Sequence, residues 1–405
     1  MATKIEPEVE SFARIKVVGV GGSGLNAINH MINQKVRGVE FVSINTDAQD
    51  LHHSIAKKKI HIGKNLTKGL GAGMDPSIGR RAAEETKEEM QETLKGADMV
   101  FIASGMGGGT GSGASPVVAQ VARELGALVI GVVTRPFSFE GLQRQRIAQQ
   151  AIDELKKEVD SLIVIPNDRL FHVIQKDTTL RNAFAMCDEV LRQAVEGIAD
   201  LITMPGIINL DFADIRAVLQ NTGSALMGIG VAGGERRAVE AAQLAINSPL
   251  LDVSVSGAKG VLFAIAGSDD LTMMEIQDAA KIITENVDKE ARIIFGAVRD
   301  DRLKKNELKV TVIASGFPEG NAVSPSLFGS STRKEKEKEE TTGIFNSFSK
   351  TSNNELKKED KKDAKKDELI IEEQTTPEKV ELKPKAEEDD DDEWGAIPAF
   401  LRRKK

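Results

Sequence analysis

The sequence predicts an α/β fold: a doubly wound parallel-sheet domain, a long central helix, a smaller α/β second domain and a C-terminal tail without a core. Three observations lead there. Short strand patterns, most of them β-branched and apolar throughout, alternate with helical ones over the first half, as strands covered on both faces require. Glycine clusters follow strand patterns, and ligands of open α/β sheets bind beyond the carboxyl ends of the strands. After residue 318 the composition turns to Lys, Glu, Ser and Thr, which bury too little apolar surface to fold.

Residues 1–12 read as a flexible N-terminus without the apolar core of a signal peptide. The first domain, 13–177, has strand patterns at 14–20, 40–45, 59–62, 99–103, 128–134 and 161–166, with helical patterns that include 26–34 and 78–95. The loop after the first strand, Gly19-Val20-Gly21-Gly22-Ser23-Gly24, matches G-x-G-x-x-G, and Asp47 follows the next strand. That is the dinucleotide fingerprint, and an NAD-dependent oxidoreductase is the reading it invites.

A second glycine box is not expected of a dinucleotide fold. Gly105-Met106-Gly107-Gly108-Gly109-Thr110-Gly111-Ser112-Gly113 follows the strand at 99–103 and precedes a helical pattern at 116–125. Glycines let the backbone approach a ligand closely. A helix start offers free N–H groups and the positive end of its dipole, so strand, glycine loop and helix in that order suit a phosphate chain. Thr110 and Ser112 add hydroxyl groups. No G-x-x-x-x-G-K-[ST] occurs, so the chain is not a P-loop NTPase. Two glycine loops on one sheet suggest a mononucleotide whose phosphates are held mostly by backbone amides.

A helical pattern at 178–203, within a central-helix segment at 178–205, carries Leu180, Phe184, Val190, Leu191, Ala194, Val195 and Ile198 at its apolar positions. Pro205-Gly206 ends it. Strand patterns at 226–231, 261–266, 293–298 and 308–314, with helices at 236–246 and 272–287, give the second domain, 206–318. The segment 319–388 reads as a disordered linker; as a flexible coil of roughly 70 residues it would reach about 45–50 Å. The last segment, 389–405, has an acidic run and then Ile397-Pro398-Ala399-Phe400-Leu401-Arg402-Arg403. Pro398 suits a first helical position, Ile397, Phe400 and Leu401 then share a face, and such a patch on a tether fits a partner's groove.

One cysteine, Cys187, excludes an internal disulfide framework and fits a reducing cytoplasm. No apolar run approaches the roughly 20 residues that span a bilayer. The net charge of −8 gives no reason to expect nucleic-acid binding.

The second glycine box resembles the tubulin-type signature G-G-G-T-G-[ST]-G. With it stand Asn45-Thr46-Asp47, Gly69-Leu70-Gly71-Ala72-Gly73, Pro136-Phe137-Ser138-Phe139-Glu140-Gly141, Pro166-Asn167-Asp168, Asn209-Leu210-Asp211-Phe212-Ala213-Asp214 and the terminal Ile397 to Arg403. As a set they resemble the tubulin/FtsZ family and, within it, the bacterial cell-division GTPases. The resemblance covers roughly 12–317 and the last dozen residues. Ser112 stands where threonine is common, and Ala396 where aspartate often precedes Ile-Pro.

The resemblance implies a GTPase that takes GTP to GDP and phosphate, with Mg2+ beside the phosphates. Gly21, Gly22, Asn26, Gly107, Gly108, Gly109 and Thr110 would line the phosphates, and Gly71, Ala72, Gly73 and Gly111 would also bind the GTP. Glu140 would meet the ribose and Arg144 the sugar-phosphate side. Asn167 and Asp188 would hydrogen-bond the guanine, and Phe184 would stack on it. It also implies a homopolymer of head-to-tail filaments in the division ring, in the cytoplasm at mid-cell. Asp211, Asp214 and Asn209 would complete the active site of the adjacent subunit. At 1.5 Å per residue, positions 184 and 206 of one continuous helix are about 33 Å apart, too far for service within one chain. Membrane-anchoring and regulatory division proteins would bind Ile397, Pro398, Phe400, Leu401 and Arg402, with no membrane insertion and no nucleic acid. The alternative within the family is a GTP-binding scaffold that does not polymerise.

Overall fold

The computed structural model describes residues 13–172, 178–204, 206–208, 210–248, 255, 257–268, 270–300 and 302–317. The expectations for the N-terminus, the linker, the terminal peptide with Ile397, Pro398, Phe400, Leu401 and Arg402, and for Asn209 lie outside the described residues.

The first six strands are β1 (Ile15–Val20), β2 (Val39–Asn45), β3 (Lys58–His61), β4 (Met99–Gly105), β5 (Leu128–Arg135) and β6 (Ser161–Pro166). All pair in parallel, in the order β3-β2-β1-β4-β5-β6. The helices among them are α1 (Gly21–Asn33), α2 (Ala48–His53), α3 (Lys64–Thr67), α4 (Pro76–Glu85), α5 (Lys87–Leu94), α6 (Gly109–Glu124) and α7 (Leu142–Glu158), and α8 (Leu180–Thr203) follows. Two apolar layers explain the hydrophobic runs of β1, interrupted by Lys16, and of β4. One unites Ile28 and Met31 of α1 and Leu191 and Val195 of α8 with Val17 and Phe101. The other unites Met90 of α5, Val118 of α6 and Leu155 of α7 with Val18 and Ile102.

The chain continues as β7 (Gly206–Ile208), α9 (Phe212–Leu219), β8 (Gly223–Gly233), α10 (Arg237–Ile246), β9 (Gly260–Gly267), α11 (Met273–Glu285), β10 (Arg292–Arg299) and β11 (Glu307–Ser315). These strands extend the same sheet in the order β8-β11-β9-β10-β7, with β11 antiparallel to both its neighbours. A third apolar cluster, with Ala241, Phe263, Ile283 and Val312, fills this half. The seam between halves is narrow: β6 and β8 pair only at Ser161–Gly223, Leu162–Ser224 and Ile163–Ala225.

Three helices differ from their sequence patterns. The pattern at 78–95 is two helices, broken at Thr86 (φ −113°), whose hydroxyl donates back to the Ala82 carbonyl and competes with the helix ladder. α1 and α6 begin inside the glycine loops, at Gly21 and Gly109, well before the first apolar repeat. Close packing outweighs the low propensity of glycine there: a Cβ on Gly113 would stand 1.9 Å from the Pro76 carbonyl oxygen, so α6 and α4 meet backbone to backbone. Pro116 is tolerated inside α6, where it removes a single backbone donor.

Candidate functional site

Because β1 pairs with β2 on one side and β4 on the other, the connections leaving β1 and β4 run in opposite directions, which opens a crevice at their carboxyl ends. Both glycine loops border it. Gly21 has φ +72°, and a Cβ there would lie 3.0 Å from the backbone nitrogen of Gly111, so the two loops pack with no room for a side chain. The loop after β2, the Pro136 turn after β5, Asn167 after β6 and the first turns of α8 close a cavity of about 680 Å³.

The helix termini set its electrostatics. Asp47 caps α2, accepting from the Gln49 and Asp50 N–H groups at 2.9 and 3.1 Å, and Asp75 caps α4 through the Ser77 N–H at 2.8 Å. α1 and α6, whose first residues line the cavity, have no side-chain cap. Two uncapped helix starts side by side offer free N–H groups and two positive dipole ends, an arrangement that suits a polyanion. Thr110 and Thr46 share a hydroxyl–hydroxyl hydrogen bond of 2.6 Å at the same place.

The opposite end of the cavity is built for a flat polar ring. Phe184 is 41% exposed and packs edge-on, at 5.5 Å between centroids, against the fully buried Phe137. Asn167 is buried, and its Oδ1 has no hydrogen-bond partner among the described residues. Asp188 lines the same end; burial pushes its carboxyl up to about 7, opposed by the charge of His30. Between the ends, Arg144 Nη1 donates to Glu140 Oε2 at 2.7 Å, and Glu140 Oε1 accepts from the Phe137 N–H.

Of the residues singled out from sequence, Gly21, Gly22, Asn26, Gly71, Ala72, Gly108, Gly109, Thr110, Gly111, Glu140, Arg144, Asn167, Phe184 and Asp188 all line this one cavity. Gly73 and Gly107 are not among the lining residues; the Gly107 N–H instead donates to Ser112 Oγ at 2.9 Å and shapes the loop. Asp211 and Asp214 do not line it either. Asp211 caps α9, accepting from the Asp214 N–H at 2.9 Å. Sequence reasoning about the site missed Asp50, Thr134 and Cys187, which also line it. Asp50 accepts from Asn45 Nδ2 at 2.7 Å, and its carboxyl is raised by burial and by neighbouring Asp47. Its place on the first turn after the Asn45-Thr46-Asp47 loop was the available signal.

Comparison with known proteins agrees with this geometry. Residues 14–175 match the model of the Tubulin/FtsZ family GTPase domain, and residues 223–318 that of the FtsZ family C-terminal domain. A structure of FtsZ from M. jannaschii, described as an empty dimer, is 46% identical, with a TM-score of 0.72 over 76% of this chain and 89% of that one. A tryptophan-to-tyrosine mutant of that FtsZ is 45% identical, with a TM-score of 0.72 over 76% and 92%. CetZ2 from Haloferax volcanii, described as a GTPgS-bound protofilament, shares the fold at 20% identity, with a TM-score of 0.65 over 76% and 94%. With each half of the sheet matched by a family model and the cavity lined, apart from Phe184, Cys187 and Asp188, by residues of the GTPase-domain match, the chain belongs to the tubulin/FtsZ family and is one of its GTPases.

Proposed function

We propose that the chain is a GTP-dependent, self-assembling cytoskeletal GTPase whose subunits stack head to tail into filaments of the bacterial division ring. The observation that carries this reading is the separation of two chemistries along α8. Phe184 and Asp188, near its start, line the cavity, whereas Asp211 and Asp214 follow its far end and do not. The helix is unbroken, so Phe184 and Thr203 stand about 28 Å apart along it. A second subunit stacked on the cavity can present its own Asp211 there, and such a heterologous contact propagates as an open filament. The description of the M. jannaschii FtsZ structure as a dimer supports self-association.

On this reading 13–177 is the GTP-binding domain, 178–205 the central helix and 206–318 the part that activates hydrolysis. The amides of Gly21, Gly22 and Gly108 to Gly111 hold the phosphates, with Asn26, Thr110, Gly71 and Ala72 beside them. Glu140 and Arg144 meet the sugar and its phosphate side, Phe184 stacks on the base, and Asn167 and Asp188 read its edge. A carboxylate accepts from both the N1–H and the 2-amino group of guanine, and adenine has no such pair of donors. Asp47 and Asp50 fit a hydrated Mg2+, since a cation relieves the crowding of two carboxylates at a polyanion site. Bound there, Mg2+ would neutralise charge developing on the phosphate oxygens. Asp211 and Asp214, with Asn209, would orient water and accept its proton as oxygen bonds to the γ-phosphorus and the bond to GDP breaks.

Among the described residues no helix is long and apolar enough to cross a membrane. Recruitment to mid-cell would therefore run through anchoring and regulatory proteins at Ile397, Pro398, Phe400, Leu401 and Arg402. The test measures GTP turnover per molecule against protein concentration, with sedimentation. A steep threshold is expected, with Asp211→Ala binding GTP and hydrolysing it very slowly. A dilute monomer as active per molecule as a concentrated solution, or normal turnover in Asp211→Ala, refutes the shared site.

A further inference from the structure

α6 connects two parallel strands, so it runs from the carboxyl end of β4, where Gly109 lines the cavity, towards the amino end of β5, about 24 Å away. What meets its far end is α9. Arg216 Nη2 donates to the Gly126 carbonyl at 2.8 Å, just past the last turn of α6. Arg123, in that last turn, donates through Nη2 to Asn221 Oδ1 at 3.0 Å, just past the end of α9. A cation at the carboxyl end of a helix also suits its dipole. α9, which Asp211 caps, is thus fastened at the end of α6 remote from the cavity of its own chain.

The hold is on one side of α9. Arg216 lies over the ring of Phe212, one turn back, with 5.6 Å between the guanidinium carbon and the ring centroid. Ile215, Val218 and Leu219 are buried in the core that α9 shares with β1, β4 and α8. From the second half, Ser315 Oγ donates to the Val218 carbonyl at 2.8 Å. Asp214 is two positions from Arg216, about 200° round the helix, and is exposed together with Asp211. The tied side and the side that carries Asp214 are therefore opposed, and a turn of α9 would swing both carboxylates. Arg216 Nε is buried without a hydrogen-bond partner among the described residues, a cost that stability does not account for.

We propose that Arg216 is a positioning residue for GTP hydrolysis: by fastening α9 to the end of α6 it aims Asp211 and Asp214 at the cavity of the adjacent subunit. This rests on the reading of Asp211 as the carboxylate that completes a neighbour's site. Arg216 need not touch the nucleotide; it acts through Asp211, and Arg123 assists by holding the other end of α9. Lysine at 216 would keep the charge and a donor for the Gly126 carbonyl, but not the planar fork that lies over Phe212.

The test compares full-length wild type with Arg216→Ala, Arg216→Lys, Asp211→Ala and the double change Asp211→Ala with Arg216→Ala. GTP affinity is measured by equilibrium dialysis below the concentration at which turnover rises. Turnover at saturating GTP is divided by the amount of protein that sediments. Arg216→Ala should bind GTP as wild type does and turn it over about tenfold more slowly per sedimented subunit. Arg216→Lys should recover most of that loss. The double variant should be no slower than Asp211→Ala, because a residue that acts through Asp211 has nothing left to position. Wild-type turnover in Arg216→Ala, or a double variant slower than Asp211→Ala by the full factor, overturns the proposal. So does a fall in GTP affinity, which puts the effect of Arg216 on the cavity of its own chain. Should Arg216→Ala fail to fold or to sediment, Arg123→Gln takes its place, since it frees Asn221 and leaves Arg216 alone; unchanged turnover per sedimented subunit there overturns the proposal equally. If Asp211→Ala itself turns over GTP normally, the shared-site reading falls instead.

Discussion

Asp188→Asn should make the protein more stable and a worse GTP-binding protein at once. In the native cavity burial raises the carboxyl of Asp188 from 3.8 to about 7. The folded chain therefore holds a proton there that the unfolded chain releases between those values, so the ionised form costs stability. The cost is complete above pH 7, shrinks as pH falls towards 4 and is gone below it. At pH 8 the displacement is worth at most about 4 kcal/mol, and less because the cavity admits water; near pH 5 it has fallen to about 2 kcal/mol. An amide has no such charge, so urea unfolding of the nucleotide-free variant should show a gain at pH 8 that narrows at pH 5. Binding moves the other way. One charge-assisted hydrogen bond is lost and an N–H group now faces the 2-amino group of guanine, together about 3–6 kcal/mol, or a hundredfold or more in affinity. XTP, whose 2-oxo group accepts where guanine donates, should recover much of that loss in the variant. A variant no more stable than wild type at pH 8 would show that Asp188 is not ionised at a cost. Unchanged GTP affinity would remove it from base recognition.

Other substitutions separate architecture from ligand contact. Gly113→Ala sets a methyl group 1.9 Å from the backbone oxygen of Pro76, and urea unfolding should show a loss of about 3 kcal/mol or more. Gly108→Ala meets nothing within 4 Å and has an ordinary φ of −94°, so its stability should match wild type. Its nucleotide affinity, measured by equilibrium dialysis, should drop if phosphate oxygens approach the uncapped α6 start as proposed, because the methyl group stands there. Arg302→Gln removes the guanidinium shared by Glu196, Asp200 and Asp300, with bonds of 2.6, 2.7 and 2.6 Å, and should cost about 3 kcal/mol in calorimetry. Burial opposes the charge of Asp300, but Arg302 and Lys309 outweigh it and hold this carboxyl well below the usual range. Stability from such a group is present above its unfolded value and lost as pH falls through the folded one, so acid unfolding of Arg302→Gln should begin at higher pH.

What was legible in the sequence depended on how local its cause was. Strands buried on both faces announce themselves as apolar runs, and β6 has the bounds its residues suggest. The first turns of α1 and α6 were not legible, because glycine lowers helix propensity and only contact with the neighbouring backbone fixes them. That both glycine loops serve one cavity was inferable from their chemistry, but their adjacency comes from β1 pairing with β4, strands separated in sequence by β2 and β3. Phe184 shows the limit of periodicity. It occupies an apolar position of α8, which reads as core, yet it is 41% exposed and lines the cavity. Ion pairs such as Arg302 with Glu196, which are 106 residues apart, leave no local trace at all.

Those pairs bear on how one helix can serve both halves. The β6–β8 seam has three residue pairs, while the far half of α8 is clasped by Arg302, which also binds Asp300 at the end of β10. Arg192 joins this clasp to the cavity side, bonded to Glu189 on one side and Glu196 on the other. The carboxylates Glu196, Asp200 and Asp300 are buried, and buried ion pairs add little net stability over apolar packing, so stability alone is a poor reason for them. What they do impose is direction: a guanidinium fork accepts one register of its carboxylates and rejects a helix rotated or slid by one residue. The cavity-lining end of α8 and the end that leads to Asp211 are thereby held in one register. Loosening the clasp should leave the binding of GTP by the monomer near normal, because every lining residue lies in the first half or in the first turns of α8. If the active site is shared as proposed, turnover in the assembled state should fall, because Asp211 would no longer be presented at a fixed distance from that cavity.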